Sequence, residues 1–209
     1  MELFNPIYNV IIKTGRNYQP MNTFTIAIPK ITPEQFLEIC QANQDLRLEL
    51  TASGDVIIMP PTHPWTGQQN FGLITQLGIW VERTGLGIGF DSSTGFTLPN
   101  GAVRSPDASW IDTQRWDSLT EKQQQSEFSP IAPDFVIELR SLSDSIKTLR
   151  EKMQEYIDNG VRLAWLIDPQ TKQVEIYRQR QQVDILNSPD IVSGEDVLPE
   201  FVLNLNKIW

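Results

Sequence analysis

The chain has 209 residues, 40% apolar and 21% charged, which suits one domain with a buried core and excludes wholesale disorder. One cysteine, Cys40, and one histidine, His63, exclude an internal disulfide and a zinc cluster, and the lone cysteine fits a reducing compartment. The net charge of -9 runs against a general polyanion binder, so any contact with nucleic acid must rest on local cations or on a partner.

Residues 1–22 are polar, lack periodicity and carry no secretory pattern, so they read as an N-terminal arm before a single domain over 23–209. Phe24 to Ile28 alternates as a strand does. Thr32-Pro33-Glu34-Gln35 is a helix start, with Thr32 as cap and Gln35 closing a capping box, and the helix should run to about Asn43. Leu46–Leu50 and Val56–Met59 predict a hairpin turning at Ser53-Gly54-Asp55.

A long helix is expected over Thr66–Arg83, with Phe71, Ile74, Leu77 and Val81 at helical spacing and Leu73 and Trp80 flanking them. The stretch Val56–Val81 has no Asp, Glu, Lys or Arg, but its prolines and amides argue against a membrane span, and a cytoplasmic protein is expected. Gly85-Leu86-Gly87-Ile88-Gly89 follows a helix and precedes strands, the wrong context for a dinucleotide loop.

Asp107–Asp112 reads as a strand, and Thr113–Phe128 as loop plus short helix. Asp134–Arg140 is an apolar strand interrupted by Glu138. Asp144 is the expected cap of a helix over Ile146–Asn159 that Gly160 ends. Val161–Ile167 and Gln173–Arg178 form a hairpin through Asp168-Pro169, Val183–Leu186 adds a strand, and the apolar residues of Leu198–Trp209 should pack. The order of elements is α+β, a mixed sheet flanked by helices.

Glu138 carries the first hint of chemistry, because a carboxylate in a central strand must be paired, protonated or metal-bound. Strand alternation puts Glu138 on the face of Asp134, Val136 and Arg140, opposite Phe135, Ile137 and Leu139. Asp107, Ser109 and Ile111 share a face of the upstream strand, so paired strands would converge Asp107 and Glu138 on one cation. On the downstream helix Ile146, Leu149, Met153, Tyr156 and Ile157 form a stripe, and Lys152 lies at its edge beside Tyr156.

Four blocks in order carry a resemblance: Arg104-Ser105-Pro106-Asp107, the run Pro133–Ser141, Leu149–Tyr156, and Gly160–Pro169. Together they resemble the Uma-type restriction endonuclease family of cyanobacteria, within the PD-(D/E)XK nuclease superfamily. The resemblance implies a restriction-endonuclease-like core and a Mg²⁺-dependent site, Mn²⁺ being an alternative ion, that hydrolyses phosphodiester bonds in DNA through a metal-activated water. It implies Asp107 and Glu138 as metal ligands with the Leu139 carbonyl, and Glu49 as the upstream acid. The superfamily pattern puts a lysine two residues after the second acid, where this chain has Arg140, and the resemblance assigns that role to Lys152 instead. A homodimer is expected by analogy with enzymes that cut two strands with two subunits.

Two rival readings come from other classes. The acidic charge and Arg140 favour a non-catalytic binding or regulatory protein that retains the nuclease frame. A two-carboxylate glycosidase would need a sugar cleft that nothing in the sequence marks.

Overall fold

The computed structural model describes residues 24–26, 31–125 and 128–209. The expected arm over 1–22 and the last two residues of the first predicted strand lie outside these. Strand β1 (Phe24–Ile26) pairs antiparallel with β3 (Val56–Met59), which forms the predicted hairpin with β2 (Arg47–Leu50). The capping box is present at α1 (Pro33–Ala42): Thr32 Oγ1 accepts from the Gln35 amide, and Gln35 Oε1 accepts from the Thr32 amide at 2.9 Å. Through buried Phe36, α1 packs on Leu48 and Leu50, the residues of β2 facing away from Glu49.

Helix α2 (Pro64–Thr84) ends at Gly85, whose positive φ of 62° suits a residue without Cβ. Its buried face differs from the expected one. Leu73, Leu77 and Trp80 are buried, while Phe71 is 73% exposed. Two stripes overlap at Leu77, and the C-terminal segment selects between them. Trp80 Nε1 donates to the Pro199 carbonyl at 2.9 Å, and Gln69 Nε2 donates to the Ile208 carbonyl at 2.7 Å.

The chain then lays down β4 (Gly87–Asp91), β5 (Phe96–Thr97), β6 (Val103–Arg104) and β7 (Ala108–Asp112). Short helices α3 (Thr113–Asp117) and α4 (Glu121–Gln125) fill the expected loop region before β8 (Phe135–Leu139). Helix α5 (Ile146–Asp158) connects β8 to its parallel neighbour β9 (Leu163–Asp168), which turns into β10 (Gln173–Arg178) and β11 (Asp184–Asn187). A hairpin of β12 (Ile191–Ser193) and β13 (Val202–Asn204) leads to a final helical turn. Asp144 does not cap α5. Ser145 does, accepting from the Thr148 amide, while Asp144 Oδ2 accepts from the Ser141 amide at 2.8 Å and closes the preceding loop. The cap must sit next to the first helical residue, and Asp144 is one position too early.

Among the described residues the strands form two larger sheets and the small β12–β13 pair. One sheet has the order β1-β3-β2-β6-β5 and the other β11-β10-β9-β8-β7-β4. The second is mixed, antiparallel except between β8 and β9, and is covered by α2 with the C-terminal segment on one face and by α5 on the other. The α+β expectation of a mixed sheet flanked by helices holds. Every residue of β8 is buried, with Phe135, Ile137 and Leu139 facing α2 and Val136 facing α5. The chain passes from one sheet to the other through Arg104-Ser105-Pro106-Asp107, between β6 and β7. This crossing puts a residue of β2 within reach of β8.

Candidate active site

Pairing between β7 and β8 sets the first two acids. Ala108 is opposite Ile137, so the register continued by one step sets Asp107 opposite Glu138. Asp107 is held from the sheet: its Oδ2 accepts from the Leu139 amide at 2.8 Å. Leu139 thus bears on the site through its backbone, with its side chain in the core.

Lys152 joins the acids of both sheets. Its Nζ lies 2.8 Å from Oε1 of Glu49 on β2 and 2.8 Å from Oε1 of Glu138 on β8. The Lys152 side chain is 13% exposed and those of the two glutamates 3% and 6%, so these ion pairs form out of bulk water. Arg140 lies on the expected strand face but turns away, bonding Asp168 Oδ2 at 2.7 Å through Nη1. The structure therefore brings together Glu49, Asp107, Glu138 and Lys152, and leaves Arg140 outside. Asp134 is also structural, accepting from the Asp112 amide and pairing with Arg115 and Arg162.

Two residues of the cluster were not singled out by sequence reasoning as polar partners. Arg104 on β6 donates through Nη1 to Glu49 Oε2 at 3.1 Å and through Nε to Glu155 Oε2 at 2.6 Å. The Ser105 amide adds a bond to Glu49 Oε1 at 3.0 Å. Tyr156, fully buried, donates its hydroxyl to Glu138 Oε1 at 2.8 Å. The spacing held part of this signal: Tyr156 follows Lys152 by four residues and Glu155 by three, so all three lie near one face of α5.

Burial and pairing pull the ionisations apart. Burial pushes the Glu49 carboxyl up, but Lys152 and Arg104 together outweigh it and hold Glu49 below its ordinary range. Burial dominates at Glu138 and raises it to about 7; Lys152 opposes the rise, and the charges of Asp107 and Glu49 add to it. Asp107 is raised by burial too, with the Leu139 amide and Lys152 opposing. Burial alone would lower Lys152, yet Glu138 and Glu49 reverse the shift and keep it protonated.

The oxygens left over suit a hard cation. Among the described residues, Asp107 Oδ1 and Glu138 Oε2 carry no hydrogen bond, while their sister oxygens are held by the Leu139 amide and by Tyr156 with Lys152. Among the described residues no group of three or more His, Cys, Asp or Glu side chains is arranged to hold a metal. A pair of carboxylates completed by water and substrate oxygens still meets the needs of Mg²⁺. No helix among the described residues is long and apolar enough to cross a membrane.

Comparison with known proteins agrees with this frame. A crystal structure of a putative nuclease belonging to DUF820 from Anabaena variabilis has a TM-score of 0.71 at 21% identity, with 85% of this chain and 97% of that one covered. That likeness carries the fold. No curated protein matches. Residues 33–206, most of the chain, match the family Uma2, described as putative restriction endonuclease, and the protein belongs to this family.

Proposed function

We propose that the protein is a divalent-metal-dependent endonuclease that hydrolyses phosphodiester bonds in DNA. The observation that carries this reading is Lys152 Nζ at 2.8 Å from both Glu49 and Glu138, with Asp107 beside Glu138. Asp107 and Glu138 would hold Mg²⁺ or Mn²⁺ through their uncommitted oxygens, with the Leu139 carbonyl as a further ligand. Bound there, the ion supplies Lewis-acid chemistry at the phosphate and favours deprotonated water.

The chain's own residues supply orientation and charge. An ammonium has three donors, and Lys152 spends two on Glu49 and Glu138. The third serves the attacking water or a phosphate oxygen as negative charge grows there. Glu49, fixed by Arg104 and the Ser105 amide, sets the direction of that ammonium and helps position the water. Tyr156 fixes one oxygen of Glu138 and so leaves the other uncommitted, where it would be available to a cation. Water attacks phosphorus directly, the bond to the leaving sugar oxygen breaks, and no covalent enzyme intermediate forms. A homodimer would present one site to each strand of a duplex.

Incubation of the protein with plasmid, single-stranded DNA and RNA in Mg²⁺ or Mn²⁺ tests the reading. DNA cleavage that Asp107→Ala and Glu138→Ala abolish supports it; cleavage that survives both removes this site. A second reading has its own observation: the net charge of -9 and the closed pairing of Lys152 with two acids fit a binding protein that retains the frame. DNA binding without cleavage in either metal would select it.

A further inference from the structure

We infer that Arg47 is a phosphate-binding residue of this site, gripping the phosphodiester next to the one that is cut; the inference rests on the nuclease reading above. Arg47 and Glu49 are two residues apart on β2 and share a face, because Leu48 and Leu50 pack toward α1. Along that face exposure changes abruptly, from buried Glu49 to exposed Arg47. Arg47 therefore stands at the mouth of the cluster whose floor is Glu49.

Its guanidinium is anchored, but not neutralised at close range. One Nη donates to the Ser92 carbonyl in the turn after β4. Asp91 is the last residue of β4 and pairs with Ala108 of β7, so the turn that carries Ser92 leaves the sheet at the strand end next to Asp107. That turn is itself tied down, with Asp91 Oδ1 accepting from the Ser93 amide at 3.0 Å and the Ser93 hydroxyl at 2.6 Å. The charge of Arg47 acts on both Asp107 and Asp91. Yet among the described residues no carboxylate comes within 4.0 Å of it.

Most arginines among the described residues are spent on internal carboxylates, as at Arg104, Arg140, Arg150 and Arg178. Arg180 is another exception, but it sits in the turn between β10 and β11, at the edge of the sheet farthest from β7. Arg47 is thus the cation that an acidic protein leaves beside its acids with donors to spare. A planar guanidinium with open donors matches the two non-bridging oxygens of a phosphodiester. Its anchoring to the Ser92 carbonyl lowers the entropy lost on binding.

The test is anisotropy of a fluorescein-labelled DNA duplex of about 20 base pairs, titrated with protein in EDTA from about 50 to about 300 mM salt. Arg47→Ala should weaken binding about tenfold and reduce the salt slope by about one. Arg47→Lys should restore the slope but only part of the affinity, since an ammonium cannot bind two oxygens in one plane. Thermal melting and Mn²⁺ titration of both variants should stay near wild type. Cleavage in Mg²⁺ by wild type and Arg47→Ala separates this inference from the nuclease reading. Cleavage with KM and salt slope unmoved in Arg47→Ala overturns the phosphate grip and leaves the nuclease standing. Loss of binding in Arg47→Ala, with wild type binding but never cutting, upholds Arg47 as a phosphate-binding residue but overturns the nuclease and with it the place of that phosphate beside a cut one. Wild type that binds no DNA overturns both.

Discussion

Replacing Lys152 by Met removes the cation shared by two buried carboxylates while keeping most of the side-chain volume. The expected loss is set by what Glu49 and Glu138 do next. Each is less than a tenth exposed, so neither can recover hydration by a small shift. Breaking a buried pair by removing one partner costs about 3–5 kcal/mol. Protonation caps that loss: Glu49 can neutralise itself at about 1.4 kcal/mol per pH unit above its ordinary value. With that value at 4.5, the cap is about 5 kcal/mol at pH 8 and under about 1 kcal/mol at pH 5. The sign follows from proton uptake. Without Lys152, Glu49 loses the charge that holds it low and rises above its unfolded value, and Glu138 rises further, so the folded variant binds more protons than the unfolded chain and its stability falls as pH rises. Lys152 in the wild type is raised and stays charged across pH 5–8, so it adds no slope there. Urea unfolding should therefore show a loss of about 3–5 kcal/mol at pH 8 and about 1 kcal/mol at pH 5. For a chain of this size the pH 8 loss lowers Tm by roughly 10 °C. Lys152→Met combined with Glu49→Gln should recover much of it. A loss of the same size at both pH values, or one under about 1 kcal/mol at pH 8, would refute the reasoning, because the glutamates would then be solvated without Lys152.

Arg140→Ala should destabilise by about 2 kcal/mol by stripping Asp168, yet leave DNA cleavage within about threefold of wild type; a cleavage defect matching that of Lys152→Met would return Arg140 to the site. On α2, Leu73→Ala should cost about 2–5 kcal/mol in urea and Phe71→Ser within about 0.5 kcal/mol, and equal losses would contradict the observed burial. Mn²⁺ binding should weaken about tenfold per pH unit below about 7, where Glu138 holds its proton, and level off above it. Calorimetry in buffers of different ionisation enthalpy should detect a proton released near pH 6, and affinity constant from pH 5.5 to 7.5 would remove Glu138 as a ligand.

How much of this was legible in the sequence depends on how local each cause is. The capping box of α1, the strand alternation around Glu138 and the place of Lys152 beside Tyr156 are written within a few residues, and the structure reproduces all three. The buried face of α2 was not, because Phe71 and Leu73 are equally apolar and a distant segment, Leu198–Ile208, decides between them. The cap of α5 failed for a smaller reason: Asp144 and Ser145 are both good caps, and the loop claims the first. Glu49 in isolation reads as a hairpin carboxylate facing water. Only the neighbouring β6 and the distant α5 enclose it, and neither contact leaves a mark near residue 49. Arg104 was hidden likewise, since its partners lie 55 and 51 residues away.

The bond from Lys152 to Glu49 closes a span of 103 residues, whereas Tyr156 reaches Glu138 across 18. The two halves of the cluster therefore differ in the length of chain each must close. Its Glu138–Tyr156 half can form with the strand–helix unit of β8 and α5, while the half that carries Glu49 waits for two sheets to meet. A substitution that loosens the contact between the two sheets should therefore free Glu49 from Lys152 before it frees Glu138 from Tyr156.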